Sequence, residues 1–161
     1  MNRNEFFRSS SGTVRILRCT KYPSLVGKIG TVVHVTRFYL IVRIPGNTNY
    51  HSHYGGYSFK WEDLELLPLT IRQMELAKTF KRLEKEYGVG NIIIKYSKIR
   101  KGNYFAYFNE EDGSVEFFDD WKIRSRTLQS LEDKGFLEKL YSSVNNACLG
   151  LRIKVEMSNM V

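Results

Sequence analysis

Residues 27–35, Gly27-Lys28-Ile29-Gly30-Thr31-Val32-Val33-His34-Val35, decide how the first part of this chain is read. Two glycines three positions apart lead into a run of β-branched residues. That pattern predicts a strand which starts at a bend, because glycine weakens a strand and lets another backbone approach it closely. Working outward, Val14, Ile16 and Leu17 predict a strand before it. Phe38 to Ile44 predict one after it and Tyr57 to Trp61 a fourth. The connections YPS, PGNTN and YGGY are built from turn formers, in which Gly46, Gly55 and Gly56 take φ > 0 without steric cost. So many short strands over residues 9–68 must curl for each to bury one face.

The segment TVRILRCTKYPSLVGKIGTVVHV resembles the opening of SH3-like small barrels of the KOW and Tudor kind. Those barrels place a "V.I … GK.G.V..V" pattern over their first two strands. Gly27 and Gly30 take the glycine positions here, and Val32 and Val35 the inward ones. WEDLELL, Trp61 to Leu67, resembles the closing strand. The resemblance implies an SH3-like β-barrel over residues 9–68. KOW-type barrels commonly bind RNA, ribosomes or RNA polymerase, and Tudor-type barrels bind peptides through an aromatic cage. The fold is the better supported of these implications, since a bent strand is needed by any small barrel.

Charge adds a second line of argument. Residues 1–60 hold nine Lys or Arg against one acid, Glu5, a net of +8 that equals the charge of the whole chain. Such a basic half predicts an anionic partner, nucleic acid (RNA or DNA) before others. The candidate cations are Arg15, Arg18, Lys21, Lys28, Arg37, Arg43 and Lys60. Between residues 47 and 59 rings alternate with amides, and Tyr50, His51, His53 and Tyr54 are the candidates for stacking on exposed bases. Tyr57, Phe59 and Trp61 alternate, and at least two of them are expected in the core. His51 and His53 have no third ligand in view, so no zinc site is predicted.

Residues 69–158 predict a second, α+β domain. Thr70 as N-cap, Gln73 completing a capping box and Leu69 with Met74 as a hydrophobic staple start a helix. Ile71, Met74, Ala77, Phe80, Leu83 and Tyr87 share one face of it, and Gly88 stops it. Three strands follow, Asn91 to Tyr96, Tyr104 to Phe108 and Val115 to Phe118. Ser125 is placed to cap a short helix ending at Gly135, with Phe136 folding back on Leu131. Residues 149–157, LGLRIKVEM, alternate strictly and predict a strand that forms a hairpin with Phe136 to Tyr141.

The helix and hairpin, "RTL..LE.KGFL" onward, resemble the recognition helix and wing of winged-helix domains. That likeness implies Arg126, Gln129 and Ser130 as a contact face over buried Leu128 and Leu131. Glu132, Asp133 and the six acids from Glu110 to Asp120 would repel a DNA backbone there. The αβββα order is also similar to double-stranded RNA binding domains, whose basic cluster at the second helix is absent here. The rings of the acidic hairpin exceed what one face can bury, which marks Tyr104, Tyr107, Phe118 and Trp121 as candidate protein contacts.

No GxSxG, P-loop, HExxH or GxGxxG is present, so no catalytic residue and no cofactor is predicted. Asp112, Glu116, Asp119 and Asp120 could hold Mg²⁺ on paper, the basis of a third reading as a metal-dependent nuclease. Cys19 and Cys148 have no metal-ligand spacing and fit a reducing compartment. The polar start, MNRNEFFRSSSG, and the lack of a long apolar run predict a cytoplasmic protein with no membrane partner. No small-molecule substrate is evident. The expectation is a non-catalytic regulator that binds nucleic acid or a nucleoprotein complex. The alternative is a protein-interaction module, such as a phage-type inhibitor docking on a host enzyme.

Overall fold

The computed structural model describes residues 1–9, 11–48, 53–119 and 122–161. The chain is α+β, with two five-stranded antiparallel sheets and four helices among the described residues. It divides into two compact units, Met1–Ile71 and Arg72–Val161.

The first unit opens with a helix, α1 (Arg3–Arg8), in the polar start of the chain. Asn2 caps it: the Asn2 side chain accepts from the Glu5 N–H at 2.9 Å, and Glu5 accepts from the Asn2 N–H at 2.8 Å. This reciprocal box ties up backbone donors that a helix start otherwise leaves open. Five strands follow: β1 (Thr13–Ile16), β2 (Ile29–Val35), β3 (Tyr39–Arg43), β4 (Tyr57–Lys60) and β5 (Leu64–Leu66). Their order in the sheet is β4-β3-β2-β1-β5.

Val32 and Val35 both pack on the core, although three residues apart they would face opposite sides of a regular strand. A register shift between Val32 and His34 absorbs the extra residue. Val32 pairs with Val42, His34 with Ile41 and Val35 with Leu40. The core is built from the inward residues of every strand, among them Val14, Ile16, Leu40, Val42, Phe59 and Leu64.

The segment expected as one closing strand, Trp61 to Leu67, is instead a 3₁₀ turn (Trp61–Asp63) followed by the short β5. β4 and β5 are not neighbours in the sheet order, so among the described residues no ladder closes the sheet into a barrel. The sheet must nevertheless bend. In a flat sheet the edges β4 and β5 would lie about 19 Å apart, at roughly 4.8 Å per strand. A three-residue 3₁₀ turn advances only about 6 Å, yet it joins them.

In the second unit, α2 (Ile71–Tyr87) buries Met74, Leu76, Ala77, Phe80 and Leu83. Leu76 widens the buried stripe beyond the face read from spacing. Gln73, expected in a capping box, is buried and donates to Ser130 Oγ at 2.9 Å while accepting from Lys134 Nζ at 3.0 Å. It thereby ties α2 to α3 (Ser125–Asp133). Burial lowers the Lys134 pKa by desolvating its charged form.

The strands are β6 (Ile92–Ser97), β7 (Gly102–Phe108), β8 (Val115–Phe117), β9 (Leu137–Tyr141) and β10 (Cys148–Ile153). They are ordered β8-β7-β6-β10-β9.

The expected hairpin of Phe136 to Tyr141 with the strand after residue 148 forms as β9–β10, and Leu151 of β10 also pairs with Ile94 of β6, so that the hairpin extends the main sheet. Two expectations for this unit are corrected. Ser125 is the first helical residue rather than the cap, and Arg124 occupies the cap position, without a side-chain cap bond. The alternation of residues 149–157 persists as a strand only to Ile153. The chain then turns into α4 (Val155–Ser158), leaving Val155 exposed while Met157 is buried.

Candidate nucleic-acid interface

The register of the first sheet sorts its side chains onto two faces. Leu40, Val42, Tyr57 and Phe59 point into the core. Tyr39, Ile41 and Arg43 of β3 therefore take the opposite face, beside Ser58 and Lys60 of β4 and His34 of β2. Tyr39 is the direct cross-strand partner of Lys60, which places an aromatic and a basic residue at neighbouring positions on this face. Ile41 is buried even on this outer face, since a Cβ at Gly56 would lie 2.8 Å from its Cγ2.

Arg43 anchors the turn that crosses this face. Its Nε donates to the Gly55 carbonyl and its Nη2 to the Tyr54 carbonyl, both at 3.1 Å. Tyr54, thus held, stacks on His34 with ring centroids 3.9 Å apart and planes 5° from parallel. Half of the Tyr54 surface stays open to solvent. At the β2–β3 turn, Arg37 lies over the Phe38 ring at 5.4 Å from its centroid, and Phe38 is itself 72% exposed. Thr36 shapes that turn, its hydroxyl donating to the Tyr39 carbonyl at 2.8 Å.

The seven expected cations do not behave alike. Arg15 pairs with Glu65 at 2.7 Å and Arg18 with Asp63 at 3.1 Å, so both are neutralised within the unit. Arg37, Arg43 and Lys60 flank the outer face of β3 and β4 and have no acidic partner among the described residues. Lys21 and Lys28 belong to the β1–β2 connection. Lys21 lies over Tyr22 and beside a cleft of about 270 Å³ lined by Cys19, Tyr22, Tyr57 and Phe59. Tyr57 and Phe59 serve the core, and Tyr57 donates its hydroxyl to Asn47 at 3.1 Å. His53 is exposed. Tyr50 and His51 lie outside the described residues, as do Asp120 and Trp121.

Sequence reasoning missed His34, Phe38 and Tyr39. The signal for Tyr39 was present in the alternation Tyr39-Ile41-Arg43. His34 was not legible, because it reaches the outer face only through the irregularity in β2.

In the second unit Arg126 and Gln129 are exposed on α3 over buried Leu128 and Leu131. Gln129 donates to Asp133 at 3.0 Å, and Ser130 is occupied by Gln73. The three side chains therefore do not form one free contact face. Tyr104 is covered by the Arg100 guanidinium at 5.4 Å, whereas Tyr107 and Phe118 gather around Tyr87.

The acids proposed for Mg²⁺ are dispersed in role. Asp112 accepts from the Ser114 N–H, and Asp119 pairs with Arg100 at 3.0 Å. Hydrogen bonds from the Ser114 side chain and then its backbone hold the Asp112 carboxyl below the ordinary aspartate range. Among the described residues no group of three His, Cys, Asp or Glu is placed to hold a metal ion. Cys19 and Cys148 are free thiols. No described helix is long and apolar enough to cross a membrane.

The chain matches no known family model, no curated protein and no solved structure.

Proposed function

We propose that this protein is a non-catalytic, nucleic-acid-binding regulator whose first unit is an SH3-like small barrel. The observation that carries the reading is the outer face of β3 and β4. There Arg37, Arg43 and Lys60, without acidic partners among the described residues, stand beside Tyr39, Phe38 and the His34–Tyr54 stack. Rings stack on bases of any sequence, while the cations hold the phosphates alongside. The sheet order β4-β3-β2-β1-β5, bent over a short 3₁₀ link, supports the barrel reading. A single-stranded ligand suits such a face better than a duplex, whose bases are already stacked on each other.

Filter-binding titration against single-stranded RNA, single-stranded DNA and duplex DNA tests the proposal. Affinity for single strands that falls steeply with salt is the expected result. No binding at low salt, or binding with no salt dependence, sinks it.

A second reading, docking on a protein, is favoured by the Tyr87, Tyr107 and Phe118 cluster of the second unit. Pull-down from nuclease-treated lysate separates the two, since a protein partner survives the nuclease.

A further inference from the structure

Three aromatic rings outside the core of the second unit gather in one place. Tyr87 ends α2, Tyr107 lies on β7 and Phe118 follows β8. The Tyr87 ring sits 4.9 Å from Phe118 at 58° and 6.2 Å from Tyr107 at 52°. Nearby Phe80 and Phe105 are completely enclosed, yet Tyr87 remains 43% exposed and its two companions are half-buried. Together with Glu116, Phe117 and Asp119 the three rings line a cleft of about 340 Å³. Its size is at the small end for ligand pockets, enough for one long side chain.

The electrostatics of the cleft select the ligand. Tyr107 and Glu116 are direct cross-strand partners, so the ladder itself puts a carboxylate next to a ring. Ring faces carry the negative side of the aromatic quadrupole. Asp119 is already balanced by Arg100, but Glu116 has no cationic partner among the described residues. Glu110, Glu111 and Asp112 add three carboxylates in the turn that adjoins the Tyr107–Glu116 pair, while Arg100 is committed to the Phe118 carbonyl and Asp119. A phosphate would be repelled here, and a neutral apolar group would strip water from Glu116 without replacing it. A cation lying against the rings satisfies both the quadrupoles and the carboxylate.

We infer that this cleft is a docking site for a single basic side chain, lysine or arginine, presented by a partner polypeptide. The site lies wholly within the second unit, and the inference rests on the protein-docking reading given above.

The experiment titrates the full chain with the peptide acetyl-Gly-Arg-Gly-Lys-Gly-amide. A second titration uses its neutral analogue, with citrulline and norleucine in place of the two cations. NMR of the aromatic ring protons is the readout. The basic peptide is expected to shift Tyr87, Tyr107 and Phe118 saturably, and the neutral analogue to bind roughly tenfold more weakly. Glu116→Gln should weaken binding severalfold with the amide spectrum otherwise unchanged, and Phe118→Ala should do the same. Equal binding of the neutral analogue overturns the inference. So do shifts confined to the 110–113 turn and indifferent to Phe118→Ala, since these report only diffuse acidic attraction. If Phe118→Ala does not fold, Glu116→Gln decides alone: unchanged affinity then overturns it.

Discussion

Gly30 and Val42 approach across β2 and β3 so closely that a Cβ on Gly30 would lie 2.5 Å from Val42 Cγ1 and 2.7 Å from the Arg43 carbonyl. The close contact lets the bent start of β2 cross over β3 and bury Val42 completely. Gly30→Ala should therefore destabilise the first unit by about 2–3 kcal/mol, the range for overpacking a well-filled core. Gly27→Ala is the control. Its added Cβ meets open space, but φ is +82°, so the cost is about 1 kcal/mol from backbone strain alone. Urea midpoints, with hydrogen exchange at β2 and β3, distinguish the two. Equal losses would refute the steric account.

The pair Glu84–Arg152, at 2.7 Å with side chains 16% and 21% exposed, joins α2 to β10. Among the described residues Arg152 Nε has no hydrogen-bond partner, so the site carries one unmet donor. Glu84→Gln removes the charge that compensates Arg152 and should cost about 2–3 kcal/mol. Adding Arg152→Met to the Glu84→Gln variant should restore much of that loss, because no unpaired charge then stays buried. A double-mutant cycle in urea measures the coupling.

Gly135 stands at φ +72° after α3. Its N–H bonds the Glu132 carbonyl at 2.8 Å and the Phe136 N–H bonds the Leu131 carbonyl at 2.9 Å, the two bonds of a Schellman motif. Gly135→Ala should lose about 1 kcal/mol, and Gly135→Asn less, because asparagine tolerates this conformation. Thermal unfolding of the three proteins gives the ranking.

Asp112 supplies the pH dependence. Because its folded carboxyl titrates below the ordinary aspartate range, its contribution to stability is present above the unfolded pKa and is lost as pH falls through the folded one. Ser114→Ala should raise the Asp112 titration midpoint toward the ordinary value. Carboxyl-carbon NMR titration reads this directly, and an unchanged midpoint would assign the depression elsewhere.

For the nucleic-acid face, Arg37→Ala and Lys60→Ala should each weaken single-strand binding about equally across sequences. Each should also flatten the plot of log K against log salt by about 0.7. Arg15→Ala and Arg18→Ala should leave that slope unchanged, since those guanidinium groups already face Glu65 and Asp63. Fluorescence anisotropy at several salt concentrations tests all four.

Tertiary contact changes what the composition implies about charge. The +8 of residues 1–60 shrinks once the unit is seen to extend to Ile71, because Glu62, Asp63 and Glu65 join it and no cation does. Two of those three acids pair with expected ligand-binding arginines. The αR end of α3 was legible for the opposite reason: Gly135 and Phe136 act within one turn of the helix they terminate. The capping box of α1 is equally local, in Asn2 and Glu5.

By itself the sequence determined the local elements: the bend at GKIGTVVHV, the span of α2, the stop at Gly135 and the strands on either side of each turn. These depend on side-chain period and on the backbone freedom of single residues, both carried by neighbours in the chain. Only the tertiary structure decided that β10 enters beside β6, that His34 reaches the outer face, and that Arg15 and Arg18 are neutralised. It also decided that the alternation of residues 149–157 breaks into α4. Each of these outcomes depends on packing against partners that local pattern does not specify, and there tertiary burial overrides propensity. The bend read first in GKIGTVVHV is thus a local property, whereas the face it exposes is a property of the folded sheet.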